Sequence, residues 1–206
     1  MRDYDELART HGDSPLSVGW GSKDRREIRF EILSSLWSLQ NSSVLDVGCG
    51  LGDFYKYLKE SRGCLDMKYL GIDSSHELIK IANMKHPSAN FMNTTLSIFG
   101  NTVEKFDYVF ASGIFNDARP HHLSMMKSEI QTMYSIARKG LAFNFLNNLN
   151  DRSDEGVQYT SIEKVLEFCF SLSKRIVLRN DYMPFESTIF IYLENEIDNK
   201  SITFLN

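Results

Sequence analysis

Residues Val44 to Asp53 (VLDVGCGLGD) run a β-branched strand into glycines at 48, 50 and 52 and then into a helix-forming segment. Glycines there remove Cβ atoms where a turn must tighten and a ligand must touch main chain, and the following helix aims its first N–H groups at that ligand. The result is a backbone cradle of nucleotide size. Its spacing narrows the ligand. A dinucleotide fingerprint, G-x-G-x-x-G, needs glycine at 53, where the chain has Asp53, and no Gly-Lys-Ser/Thr for a triphosphate is present.

A second chemistry-bearing position lies about twenty residues past the turn, where Met67 to Asp73 reads as a strand ending in a carboxylate. An acid placed there can accept hydrogen bonds from both hydroxyls of a ribose, so Asp73 is the candidate ribose ligand. The alternative is that Asp73 caps the helix beginning near Ser75, a role Asp fills often, although Ser74 can serve as that cap.

The run Asp46-Val47-Gly48-Cys49-Gly50-Leu51-Gly52 resembles the first motif of the class I S-adenosylmethionine-dependent methyltransferases. That resemblance implies S-adenosyl-L-methionine as cofactor and S-adenosyl-L-homocysteine as product, with Asp46, Gly48, Cys49 and Gly50 around the cofactor and Asp73 and Ser74 at its ribose. Ala111, Ser112 and Gly113 then approach it through backbone at the end of the fourth strand. Many members place an acid after strand three against the adenine amino group; this chain has Asn93 and Thr94 instead, which can donate and accept there. The chain is also similar to a group of bacterial methyltransferase-like proteins of unassigned acceptor that carry Gly-Trp-x-Ser, Arg-Phe, Ser-Gly-Ile-Phe-Asn and Asp-Tyr segments. Here these are Gly19 to Ser22, Arg29-Phe30, Ser112 to Asn116 and Asp181-Tyr182. By that comparison Trp20 and Ser22 close over the cofactor, and Arg29 pairs with its carboxylate through a planar bidentate fork. Phe115, Asn116, Asn144 and Tyr182 are the candidate acceptor contacts.

Methyl transfer from a sulfonium is an in-line displacement in which positive charge disperses, so alignment and exclusion of water matter more than covalent chemistry. A hydroxyl acceptor adds the need for a base. His121 (with His122), Asp181 and Tyr159 are the candidates, the last as a proton relay or aromatic lining. The principal expectation is a small-molecule methyltransferase acting on oxygen, with a sugar or secondary metabolite as acceptor. Two alternatives stay open: a cyclase or lyase that uses the sulfonium without methyl transfer, and a non-catalytic cofactor-binding partner of another protein. No metal-binding spacing is visible, and the Asn/Asp-Pro-Pro-Tyr/Phe segment of amino-methylating nucleic-acid enzymes is missing.

The elements that must position these residues follow from periodicity. Residues 1–21 read as an irregular polar lead or lid. Apolar positions Ile28, Ile32, Leu33, Leu36 and Trp37 then give an amphipathic helix over 22–39. Strand and helix signals alternate from there: helix 53–61, strand 67–73, helix 75–86, strand 89–93, strand 106–112, helix 121–138, strand 141–146 and helix 161–172. Such alternation argues a parallel sheet with helices on both faces. The ending differs, because strand-like runs at 175–181 and 187–193 are joined by a link too short for a crossover helix, which makes an antiparallel hairpin. The expected fold is therefore α/β, a Rossmann-like methyltransferase sheet, mostly parallel, closed by that hairpin, in one domain over 1–206 with its core at 22–194.

Composition sets the outer limits. The chain has 206 residues, 42% of them apolar, enough for one well-buried domain. Its 23 basic and 27 acidic side chains give a net charge of −4 and offer no footprint for nucleic acid. The cluster Lys23, Arg25, Arg26 and Arg29 sits among Asp24, Glu27 and Glu31, as on a solvated helix face with i,i+4 pairs. Three cysteines without metal or redox spacing suit a reducing cytosol, and no apolar run approaches membrane-spanning length. The expectation is a cytoplasmic protein with a small-molecule substrate and neither a nucleic-acid nor a membrane partner; the oligomeric state is left open.

Overall fold

The protein is described by a computed structural model covering residues 2–19, 23–149, 151, 152 and 154–193, with backbone alone for Lys23 and Asp24. In chain order its elements are α1 (Tyr4–His11), a 3-10 turn (Pro15–Val18), α2 (Lys23–Leu33), β1 (Ser43–Val47), α3 (Asp53–Glu60), β2 (Lys68–Asp73), α4 (His76–Lys85), β3 (Asn90–Asn93), α5 (Leu96–Phe99), β4 (Phe106–Ala111), α6 (His122–Ile136), β5 (Ala137–Leu146), α7 (Ile162–Leu172), β6 (Ile176–Arg179) and β7 (Glu186–Tyr192).

The sheet has the order β3-β2-β1-β4-β5-β7-β6. Its first five members in that order run parallel, and β7 inserts antiparallel between β5 and β6. This is the expected mostly parallel sheet with a final antiparallel hairpin. The topology reverses at β1, whose neighbours are β2 on one side and β4 on the other. Open α/β sheets bind ligands at such a switch point, outside the carboxyl ends of the strands.

Central strands are covered on both faces, which explains why β1 reads as a nearly unbroken apolar run: Val44 and Leu45 are fully buried and Val47 almost so. One core packs Val109, Phe115, Met126, Ile130, Phe143, Val165 and Ile189 between the sheet, α6 and α7. On the other face α2 and α3 bring Phe30, Leu33, Phe54 and Leu58 together with Trp37, Phe110 and Phe190. Trp37 stacks on Tyr108 at 5.0 Å and meets Phe190 edge-on at 5.5 Å. Among the described residues no helix is long and apolar enough to cross a membrane.

Three local departures from the sequence reading have physical causes. The polar lead is not irregular: Asp3 caps α1 by accepting from the Glu6 N–H at 3.0 Å, and Gly12 ends it at φ 58°. Helix α2 stops at Leu33 instead of reaching 39. There Ser34 and Ser35 turn their hydroxyls back onto the carbonyls of Phe30 and Ile32, at 2.8 and 2.7 Å, offering the chain an alternative to further helix. Finally α6 ends at Ile136 and β5 starts four residues early, because Ala137 already pairs with Phe106 of β4.

The basic cluster on α2 also behaves differently from a solvated helix face. Arg26 pairs with Asp53 at the start of α3 at 2.5 Å, and Arg29 with Glu186 of β7 at 2.5 Å. These contacts tie α2 to the start of α3 and to β7.

Candidate cofactor and acceptor site

The glycine turn lies where the topology reverses. The N–H groups of Gly48 and Cys49 donate to the Ile72 carbonyl at 2.8 and 3.1 Å, tying the end of β1 to β2. Gly48 and Gly50 sit at φ 71° and 54°, a region that costs a side-chain-bearing residue dearly. A Cβ on Gly48 would lie 2.3 Å from Ile114 Cγ2, and one on Gly50 2.8 Å from Val18 Cγ1. Both glycines are therefore required by shape as well as by φ, and Ile114 and Val18 roof the turn.

Asp73 reaches the same turn from β2. Its Oδ2 accepts from the Gly50 N–H at 3.0 Å and its Oδ1 from the Ser75 N–H at 2.9 Å. Burial raises its pKa, against the lowering effect of those two N–H groups. The helix-cap question is settled by Ser75, whose hydroxyl accepts from the Leu78 N–H at 3.2 Å; neither Asp73 nor Ser74 caps α4. Asn93 Nδ2 donates to the carbonyls of Asp73 and Ser74, each at 3.0 Å, and the Thr94 N–H to that of Asp73 at 3.0 Å. Their polar groups here brace the loop that carries the acid.

Asp46 is buried beneath this turn, its carboxylate taking the Tyr69 hydroxyl at 2.6 Å. Desolvation raises its pKa to about 7, the Tyr69 hydrogen bond opposing and Asp73 reinforcing. A folded-state pKa above the unfolded one, about 3.9 for Asp, means the folded chain binds more protons between those values. Asp46 thus stabilises less as pH rises through this window, at up to about 1.4 kcal/mol per pH unit. Asp46→Asn should flatten the fall in denaturant midpoint between roughly pH 4 and pH 7; an unchanged slope would remove Asp46 as its source. Cys49 is likewise buried, and desolvation lifts its thiol well above the ordinary value, so it packs as an inert side chain against Gly71.

The N-terminal segment spans the crevice from one bank to the other. On the β2 side Asp5 accepts from the Ser75 hydroxyl at 2.5 Å and from the Glu77 N–H at 3.1 Å, while Asp13 pairs with Lys85 at 2.6 Å. On the β4 side Tyr4 donates to Asp117 at 2.9 Å and Arg2 pairs with the same carboxylate at 3.3 Å. Ala8 closes against Leu51 and Leu78 between them. Trp20 and Ser22, expected to close over the cofactor, lie outside the described residues.

Beyond the end of β4 opens a cavity of about 230 Å³, lined by Val18, Gly19 and Gly113 next to the turn, by Tyr4, Asn116, Asp117, Leu146 and Val157, and by Arg2, Arg25, Arg29, Arg152, Asp154, Tyr159 and Phe185. Asn144 shapes its approach. Its Oδ1 accepts the Gly113 N–H at 2.7 Å and its Nδ2 donates to Ser112 at 3.1 Å, which fixes the loop after the buried Ala111.

Of the acceptor-side candidates, Asn116 and Tyr159 line this cavity. Asn116 uses its Oδ1 on the Leu146 N–H at 3.2 Å, and Tyr159 donates to Asp154 at 2.5 Å. Four others are placed elsewhere. Phe115 is fully buried in the core against Phe143, because the loop after β4 turns its ring inward. His121 is exposed at φ 54° before α6. Asp181 is exposed and chelated by Arg179 of its own hairpin at 2.7 and 2.9 Å, which lowers its pKa. Tyr182 bonds to Thr188 at 2.8 Å and packs with the α2-side core. Arg29 is corrected too: it grips Glu186 through Nε at 2.7 and 2.6 Å and Nη2 at 2.5 Å, since a carboxylate with no solvent exposure demands a cation.

The residues missed at the cavity are Arg2, Tyr4, Arg25, Asp117, Arg152, Asp154 and Phe185. Asp117 stands one position beyond the Ser112 to Asn116 segment, the single sequence cue that pointed near it.

Residues 44–140 match the family model described as a methyltransferase domain. No protein of curated function matches the chain in sequence. Among solved structures, magnesium protoporphyrin IX methyltransferase from Synechocystis PCC 6803 with bound S-adenosylmethionine superposes with a TM-score of 0.62 at 16% identity, covering 94% of this chain and 99% of that one. A methyltransferase dependent on the same cofactor from Aquifex aeolicus gives 0.64 at 17% identity, covering 94% and 100%. A chain from the Haloferax volcanii complex that contains the Trm112 methyltransferase activator gives 0.66 at 14% identity, covering 94% and 100%. At these identities the likeness is one of fold.

Proposed function

We propose, from the match of residues 44–140 to a methyltransferase domain and the likeness in fold to a methyltransferase with bound S-adenosylmethionine, that this chain transfers the methyl group of S-adenosylmethionine to an oxygen of a small-molecule acceptor. The observation that carries the reading is the Asp73 carboxylate held on the N–H of Gly50, at a glycine turn that adjoins a cavity of small-molecule size. The cofactor, when bound, supplies an electrophilic methyl group on a sulfonium.

The chain's own residues do the rest. Asp73 accepts from the ribose hydroxyls, exchanging the Gly50 N–H for a ligand that also meets main chain at Gly48 and Gly50. Asn144 holds Gly113 in place, setting the wall between the two compartments. The N-terminal segment, anchored at Asp5 and Asp117, keeps water out once it is seated.

The test is a methyl-labelled assay. Incubation with labelled cofactor and the small-molecule fraction of a cell extract should give a labelled product that passes a filter retaining protein and nucleic acid, and cofactor alone should release no methylthioadenosine. Methylthioadenosine released without acceptor would replace methyl transfer by a lyase or cyclase reaction, and label retained with macromolecules would displace the small acceptor.

A further inference from the structure

A second concavity lies at the opposite end of the sheet from the glycine turn. This groove, of about 820 Å³, runs past the amino ends of β1, β2, β3 and β4, where Ser43, Lys68, Asn90 and Phe106 begin their strands. It belongs to neither the turn nor the cavity beyond β4.

The groove joins apolar side chains to a cationic rim. Leu70, Phe91 and Met92 come from β2 and β3, and Val103 from the loop before β4; Met92 and Val103 are exposed. Lys68, Lys105 and Arg138 stand around them, all exposed. The lining carboxylates are Glu104 and Asp107, and Asp107 is shared by Ser43, by Lys139 at 3.7 Å and by the field of Arg138. Counting Lys139, four cations meet two acids. A concave surface with that excess attracts an acidic segment.

The chain leaves its last described strand beside this rim. The Leu193 N–H donates to the Lys139 carbonyl at 2.8 Å, one residue from Arg138. Residues 194–206 lie outside the described residues. Their sequence sets Glu194, Glu196 and Asp198 against Lys200 alone, and Ile202, Phe204 and Leu205 follow. The groove has the same order, with Arg138, Lys139 and Lys105 on its β5–β4 side and Leu70, Phe91 and Met92 on its β2–β3 side. Length is sufficient: four strand spacings separate β5 from β3, about 19 Å, and a chain of that many residues spans up to about 43 Å.

We propose that residues 194–206 dock in this groove, their acids against Lys105, Arg138 and Lys68 and their apolar residues over Leu70, Phe91 and Met92. Exposed ion pairs are individually weak and screened by salt, so the acids steer the segment and apolar burial holds it. Tethering beside the rim favours this segment over a free peptide, at an effective concentration of about a millimolar.

A nitroxide on the full-length Ser201→Cys variant tests this, the native thiols being buried. In the isotope-labelled protein the amide signals of positions 68, 91 and 105 should lose most of their intensity while the label is paramagnetic. Lys68→Glu/Lys105→Glu/Arg138→Glu, altered at exposed positions, should keep those signals, and adding Glu194→Lys/Glu196→Lys/Asp198→Lys should bring the loss back. Unchanged signals on the far side of the sheet show that each variant folds. Undiminished groove signals before the reversal, or a loss that the reversal leaves in place, would overturn the proposal. So would an equal loss in a mixture of nitroxide-bearing chains with isotope-labelled chains that lack it, the mark of a second copy's segment in the groove. No cofactor is needed, so the result stands apart from the methyltransferase reading.

Discussion

Asp73→Ala should weaken binding of S-adenosylhomocysteine by about a hundredfold while leaving the fold intact. The carboxylate is the one acid hydrogen-bonded to the glycine turn among the described residues, through the Gly50 N–H. A charge-assisted hydrogen bond contributes about 1.5–3 kcal/mol, and two ribose hydroxyls offer two of them; each 1.4 kcal/mol is tenfold in affinity. Asp73→Asn, which keeps an oxygen acceptor for a ribose hydroxyl but has no charge, should fall between wild type and Asp73→Ala. Burial already raises the pKa of the carboxylate, so its removal relieves a desolvation cost and thermal stability should not drop. Equal affinity in wild type and Asp73→Ala, measured by calorimetry, would move the cofactor elsewhere.

Glu186→Ala has the larger effect on stability. Glu186 has no solvent exposure, and its three contacts with Arg29 at 2.5–2.7 Å join α2 to β7 across 157 positions of sequence. Removing one partner of a buried pair leaves the other charge uncompensated, at a cost of about 3–5 kcal/mol. Replacing both by apolar groups of similar size avoids that penalty, so Arg29→Met/Glu186→Met should recover most of the loss. Urea unfolding of the two variants checks this. A loss below about 1 kcal/mol for Glu186→Ala would put the pair in the class of exposed ion pairs.

The contrast between Asp73 and Arg29 shows what the sequence discloses. The meeting of Asp73 with the turn at Gly48 and Gly50 was legible because it follows from local order: a strand, a turn that needs positive φ, and an acid at the end of the next strand. The parallel sheet and its closing hairpin were legible for the same reason, through periodicity and the length of each connection. Arg29 was not. Its resemblance to a carboxylate-binding position is real as a pattern, but Glu186 lies 157 residues away and no local signal announces it. The cavity suffers similarly, since Arg2, Arg25, Arg152 and Phe185 come from four separate places in the chain and meet only when the N-terminal segment, α2, the loop after β5 and the β6–β7 connection come together beyond β4.

The N-terminal helix is a different kind of miss. Asp3, Glu6 three residues later and Gly12 carry a start and a stop for α1, and the glycines and proline that follow obscured them. Its consequence is structural, because α1 ties Asp117 beyond β4 to Ser75 after β2.

The direct test of the whole account is titration of the wild-type protein with S-adenosylmethionine, with NAD as the comparison ligand. Saturable binding of S-adenosylmethionine at one site per chain and no detectable binding of NAD are expected. Heat evolved with NAD and none with S-adenosylmethionine would contradict it.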